Sequence, residues 1–171
     1  MTTSKNHVEV DDLLTSLERH RGFLRQTIEG VSDAQAARRS TVSELCLGGV
    51  LKHVTRGEAR WVEFIERGPD AIGGMDEAAY AAHSASFRME PGETVASLLA
   101  DYDAVARDTE KIVRALPSLD VSQPLPEAPW FEPGATWSAR RVLLHVLAET
   151  SQHAGHADIV REAIDGAKTM G

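Results

Sequence analysis

The chain has 171 residues, which suits one domain with its own core, so we expect a single domain over residues 1–171. Its 18 Lys and Arg against 26 Asp and Glu, a formal net charge of −8, argue against nucleic acid as a partner. The single cysteine excludes a disulfide framework. Without a signal-peptide pattern or an apolar run long enough to span a membrane, we expect a cytoplasmic protein with no membrane partner.

Two helices are predicted in the first part of the chain. Apolar residues recur at three- and four-residue steps from Val8 to Glu29, which predicts an amphipathic helix closed by Gly30. A capping box at Ser32 predicts one short turn, and a second one over residues 41–44 predicts a longer helix that starts there and runs to about Arg67.

One side of this second helix is predicted to face the interior. It carries, at helical spacing, Cys46, Val50, His53, Trp61 and Phe64. Gly49 and Gly57 on that side leave room for a neighbouring backbone or a ligand. We expect His53 on the inward face and Cys46 as core filler.

The second half is predicted to alternate long connections and helices. Residues 68–92 form a crossover with a helical turn or two over residues 76–83, and His83 is expected in a solvated loop. A third helix runs from Thr94 to about Leu116, and the proline-rich residues 117–134 form an extended connection. Thr136 or Ser138 caps a fourth helix that ends at residues 165–166. Four long helices without strand-period segments predict an all-α four-helix bundle with long crossover connections.

Four titratable side chains fall on one face of the fourth helix: His145, Glu149, His153 and His156. The apolar stripe that they interrupt continues as Val142, Val146, Val160 and Ala163. Burying a carboxylate and imidazoles costs several kcal/mol unless they are paired or bind a metal. The face therefore needs a partner from another helix.

His53 supplies that partner and completes a three-ligand set with Glu149 and His153. A buried hydrogen-bond network between the same side chains is the alternative. His156 could be a fourth ligand, but we expect it to orient a ligand or substrate, or to act as a local acid or base. His145, one turn away, is expected to pack nearby or to orient a ligand.

Two segments resemble the thiol-dependent branch of the DinB-like superfamily of metal-binding four-helix bundles. One is Leu47-Gly-Gly-Val-Leu-Lys-His53 with Glu58 and Trp61 after it, and the other runs from His145 to Gly166. The branch includes mycothiol S-transferases and mycothiol-dependent maleylpyruvate isomerases. Most members of the superfamily have a histidine where this chain has Glu149. The isomerases are similar to this chain in having a glutamate there.

The resemblance implies His53, Glu149 and His153 as ligands of a divalent metal, with zinc the first choice, and Trp61 as a candidate contact for the thiol. Because the isomerases have a further C-terminal domain and this chain ends five residues after Gly166, we expect a transferase. Its reaction would join mycothiol, held as a zinc-bound thiolate, to a small electrophile in detoxification. His156 is the candidate catalytic residue.

Two other functions stay open. One is a hydrolase in which zinc activates water, and the other is a non-enzymatic metal-binding stress-response bundle. A homodimer suits this architecture, although the sequence carries no interface signature.

Overall fold

The computed structural model describes residues 2–72 and 77–169 and is mostly helical, which confirms the all-α expectation. Four helices are long: α1 (Thr2–Ile28), α3 (Leu47–Arg67), α5 (Val95–Ala115) and α6 (Ala139–Asp165). Two are short, α2 (Asp33–Ala36) and α4 (Glu77–Ser86), and a 3₁₀ turn spans Gly68–Ala71. Within the described ranges, no helix combines the length and apolar character that crossing a membrane would require.

The long helices enclose two clusters of buried apolar side chains. Helix α6 packs along α1, and α3 packs against both α5 and α6. One cluster is centred on Leu24, Leu51 and Tyr102, and the other on Leu17, Phe64 and Val142. Val142, Val146 and Val160 of the predicted stripe are buried, whereas Ala163 is exposed near the end of α6.

The predicted start of the second helix is wrong. Helix α3 begins at Leu47 after Cys46, whose side chain makes no capping hydrogen bond. The hydroxyl of Thr41 instead accepts a hydrogen bond from Ser43 N, and the hydroxyl of Ser43 accepts one from Leu45 N. Such local bonds satisfy the backbone outside a helix, so the pattern that resembled a capping box forms consecutive turns.

The crossover contains more helix than predicted. Residues 77–83 of the predicted turn belong to the ten-residue helix α4, whereas Asp76 lies outside the described residues. His83 is exposed as expected, but it lies on this helix and not in a loop. A side chain at Gly49 would collide with the carbonyl of Phe87. Gly49 therefore lets the end of α4 approach α3 at van der Waals distance.

The proline-rich connection carries a strand pair that the sequence pattern does not predict. Strands β1 (Ser122–Pro124) and β2 (Thr136–Ser138) pair antiparallel, with Gln123 opposite Trp137. The amides of Ala139 and Arg140 donate to the carbonyls of Val121 and Leu119, so the connection also satisfies the first turn of α6. Ser138, one of the two predicted caps, is the N-cap of α6.

Candidate metal site

The three predicted ligands meet where α3 faces α6. One potential ligand atom each from His53, Glu149 and His153 lies within 4.8 Å of the other two. The His53 and His153 rings are 4.9 Å apart between centroids. The His153 side chain is 12% exposed and that of Glu149 is 42% exposed, so one edge of this donor cluster is open to solvent.

Helix α4 fixes the orientation of His53. Ser86 Oγ lies 3.0 Å from His53 Nδ1 and donates its single hydrogen to the carbonyl of His83. Because a hydroxyl has only one hydrogen to donate, Nδ1 of His53 must be the protonated ring nitrogen. Phe87 stacks on the imidazole at 3.9 Å between centroids. Nε2 of His53 is left with a free lone pair, the form in which histidine binds a metal.

His153 is held between two neighbours on its own helix. Its Nε2 is 3.7 Å from Glu149 Oε2, and its Nδ1 is 3.5 Å from Nδ1 of His156. The two ring nitrogens therefore have separate partners. The i, i+4 spacing places the carboxylate beside one nitrogen, and the i, i+3 spacing places His156 beside the other.

The surroundings keep the imidazoles of the cluster neutral. Burial, followed by the nearby His153, His83 and Arg60, lowers the pKa of His53 to about 4. Burial also lowers the pKa of His153, against the opposing effect of Glu149. Neutral imidazoles are competent metal ligands at neutral pH, whereas imidazolium ions are not.

The donor cluster lines a cavity of about 190 Å³, called here the donor cavity. Trp61 forms part of its wall and stacks on Trp137 at 4.7 Å between centroids. His145 also lines it and meets the edges of both tryptophans. His156 is not among the described residues that line this cavity.

Two buried polar groups line the inner part of the donor cavity. The carboxylate of Glu58 is fully buried and accepts hydrogen bonds from Arg21 and from Thr109 Oγ1, at 2.6 Å for the latter. Thr150 is 1% exposed, and within the described ranges its hydroxyl has no hydrogen-bond partner. An unpaired buried hydroxyl is costly, so a polar group bound in the cavity would relieve this cost.

The donor set fits a divalent metal. Two neutral imidazoles and one carboxylate are the nitrogen and oxygen donors that catalytic zinc sites use, and such sites keep a further position open. The sequence pattern predicts the three candidate donors but not Ser86 and Phe87, which contact His53. Ser86 is the last residue of α4 and Phe87 follows it, and the absence of a side chain at Gly49 is a signal of their approach to α3.

Comparison with known proteins places the chain in one family. No curated protein matches the chain. A family model described as Mycothiol-S-transferase matches residues 12–166, which span both motifs and all three donors. The chain therefore belongs to the mycothiol S-transferase family, as the resemblance of its two motifs indicated.

Proposed function

We propose that this protein is a metal-dependent S-transferase that joins a low-molecular-weight thiol, mycothiol, to small electrophiles in detoxification. The family match supports transfer to or from mycothiol. The observation that carries the metal dependence is the meeting of one donor atom each from His53, Glu149 and His153 within 4.8 Å in the wall of a cavity.

His53, Glu149 and His153 would hold the metal, with zinc the first choice for two imidazoles and a carboxylate. When bound, such an ion lowers the pKa of a coordinated thiol so that the thiol is ionised near neutral pH. Cys46 is buried, its thiol contacts the carbonyl of Phe87, and it is not among the described residues that line the donor cavity, so we assign it no part in the reaction.

The side chains around the donors prepare them for this task. Ser86 holds the proton of His53 on Nδ1, which frees Nε2 of that ring, and Nδ1 of His156 lies 3.5 Å from Nδ1 of His153. We assign His156 the acid–base role beside the site and Trp61 the contact with the thiol. In the reaction the thiol gives its proton to His156, which passes it to solvent, the sulfur bonds to the electrophilic carbon, and the leaving group departs with its electron pair.

The same proposal extends to the whole chain. We infer one DinB-like four-helix bundle over residues 1–171, in which α1, α3, α5 and α6 are the four helices. We also infer a cytoplasmic location, because a small thiol co-substrate stays reduced in a reducing compartment and the single cysteine of the chain is free and buried.

The test is conjugation of a bimane electrophile to mycothiol by the zinc-loaded protein. We expect His53→Ala, Glu149→Ala and His153→Ala each to lose bound zinc and at least a hundredfold in kcat/KM, about 2.7 kcal/mol of transition-state stabilisation. His7→Ala and Glu162→Ala remove the same side-chain types from exposed positions and serve as matched controls. Both controls should keep zinc and activity.

Two results would contradict the proposal. Turnover of the electrophile at an equal rate without mycothiol would indicate a hydrolase that activates water. A protein that binds zinc and loses stability in the donor variants, yet conjugates no electrophile, would indicate a structural metal site.

A further inference from the structure

A second cavity, of about 250 Å³, lies beside the donor cavity and shares Arg60, Trp61 and His83 with it. Its other walls come from the crossover and from the proline-rich connection. They are formed by Ile72, Ala79, Tyr80, Trp130 and Phe131. We call this space the aromatic cavity. The three shared side chains lie in the walls of both cavities.

The lining of the aromatic cavity suits a flat apolar group. Tyr80 is 54% exposed and Trp130 is 57% exposed, although both are large apolar side chains whose burial would be favourable. Trp61 is held from behind by Trp137, which also meets Phe131 at 5.9 Å. A polar thiol carrier would find few hydrogen-bond partners on these walls, whereas an aromatic ring can stack on them.

Arg60 favours a ligand that carries a negative charge. It is exposed on α3 and, within residues 2–72 and 77–169, forms no ion pair or hydrogen bond. By contrast, Arg21, Arg25, Arg114 and Arg140 each bind a carboxylate. A guanidinium that has no carboxylate partner in the described part of the chain, at the boundary of two cavities, can form a forked pair with a carboxylate of a ligand.

We propose that the aromatic cavity binds the electrophile and selects planar aromatic electrophiles that carry a carboxylate or similar anionic group, with Arg60 as the specificity-determining residue. The inference rests on the proposed transferase function for its consequence, because the electrophile must meet the thiol at the shared wall. The binding itself needs neither metal nor turnover.

The test uses two unreactive probes of equal shape, para-nitrobenzoate and its neutral amide. All three tryptophans of the chain lie at this site, since Trp61 and Trp130 line the aromatic cavity and Trp137 stacks on Trp61. Quenching of tryptophan fluorescence by the nitro group therefore reports binding there. We expect saturable quenching by both probes, with the benzoate binding about tenfold more tightly.

Three variants separate the contribution of the Arg60 charge to binding from that of the aromatic walls. Arg60→Met should bring the benzoate to the affinity of the amide and leave the amide unchanged. Tyr80→Ala should weaken both probes, and Arg107→Met, an exposed arginine on α5, should change neither. Equal affinity of the two probes for the unaltered protein, or benzoate affinity unchanged by Arg60→Met, would overturn the proposal. So would competition of mycothiol with the benzoate, which would assign the cavity to the thiol.

Failure of this inference and failure of the transferase function give different results. Conjugation of bimane without saturable binding of the probes would contradict only the assignment of the aromatic cavity to anionic aromatic electrophiles. Selective binding of the benzoate without any conjugation would contradict only the proposed transferase function.

Discussion

At the scale of single residues, the contact between Ser86 and His53 decides which imidazole nitrogen is free. The hydroxyl of Ser86 has no second hydrogen to give, because it already donates to the carbonyl of His83. His53 is consequently held with Nδ1 protonated and with its ring stacked on Phe87. A ring fixed in both tautomer and rotation loses less entropy when it binds a metal.

We therefore predict that Ser86→Ala lowers zinc affinity by about 10- to 100-fold, the range typical of lost partners behind a ligand. The measurement is competitive titration against a chromogenic chelator. Ser84→Ala is the matched control, because Ser84 is an exposed serine on the same helix. Ser86→Thr keeps the hydroxyl and should recover most of the affinity. Equal affinity of Ser86→Ala and the unaltered protein would show that the contact has no effect on the ligand.

The residues of the site differ in how far the sequence reveals them. Glu149 and His153 share one helix, so their four-residue spacing alone places them on one face. His53 requires the further assumption that α3 faces α6, which the apolar pattern of both helices supports. Ser86 cannot be assigned from a pattern, because its position depends on how closely α4 crosses α3.

At the scale of elements, helix periodicity is more informative than apparent capping signals. The third and fourth predicted helices match α5 and α6 because their apolar positions are supported by Thr94 and Ser138, which both cap in the structure. The pattern at Thr41 fails because the same hydroxyls that cap helices also stabilise turns. The short strands are missed because three residues are too few to show an alternating pattern.

Arg140 ties the first turn of α6 to two other parts of the chain. Its guanidinium binds Glu9 on α1, at 3.0 Å for Nη2, and also Asp120 in the connection. Hydrogen bonding to Arg140 lowers the pKa of Glu9 and that of Asp120 below the ordinary values of these carboxyl groups. Both carboxylates are thus more easily ionised in the folded state than in the unfolded state.

We predict that Arg140→Met destabilises the protein slightly at neutral pH and progressively less in acid. A carboxylate with a depressed folded pKa adds stability above its unfolded pKa, and this contribution disappears as pH falls through the folded value. The difference in the free energy of unfolding between Arg140→Met and the unaltered protein should therefore be constant above about pH 5.5 and shrink towards pH 3. Urea unfolding across this pH range measures the difference, and 1 M salt should reduce it because Asp120 is exposed and Glu9 and Arg140 are partly exposed. A difference that grows in acid would contradict the assignment.

At the scale of the whole molecule, a polar layer crosses the interior between the two apolar clusters. Each long helix contributes to it between its apolar positions, with Arg21 from α1, Glu58 from α3, Thr109 from α5 and Thr150 from α6. The donor cavity opens onto this layer through Glu58 and Thr150. The polar centre of the fold and the functional site are thus continuous.

We predict that Arg21→Met costs about 3–5 kcal/mol of the free energy of unfolding, because it leaves the buried carboxylate of Glu58 without its cation. The double variant Arg21→Met with Glu58→Leu should lose less of the free energy of unfolding than Arg21→Met alone, since both charges are then removed. Arg19→Met, which alters an exposed arginine on the same helix, is the control. Urea unfolding at neutral pH provides the values. A double variant less stable than Arg21→Met alone would show that the carboxylate has a separate structural role.

Metal binding should stabilise this molecule without being needed for its fold. The donors join α3 to α6, but the two apolar clusters that hold these helices contain none of the three. Free zinc at a hundredfold excess over its Kd adds about 2.7 kcal/mol to the folded state. For a domain of this size that corresponds to a rise in Tm of roughly 5–10 °C.

Calorimetry before and after chelation tests this expectation, with circular dichroism at 25 °C reporting the fold. We predict unchanged helix content on chelation, a Tm that falls by this amount, and full recovery with zinc but not with magnesium, which prefers oxygen ligands. Glu149→Ala should abolish most of the zinc-dependent rise and change the metal-free Tm little, because Glu149 is partly exposed and forms no part of either cluster. Loss of helix on chelation would instead mean that the polar layer requires the metal to fold.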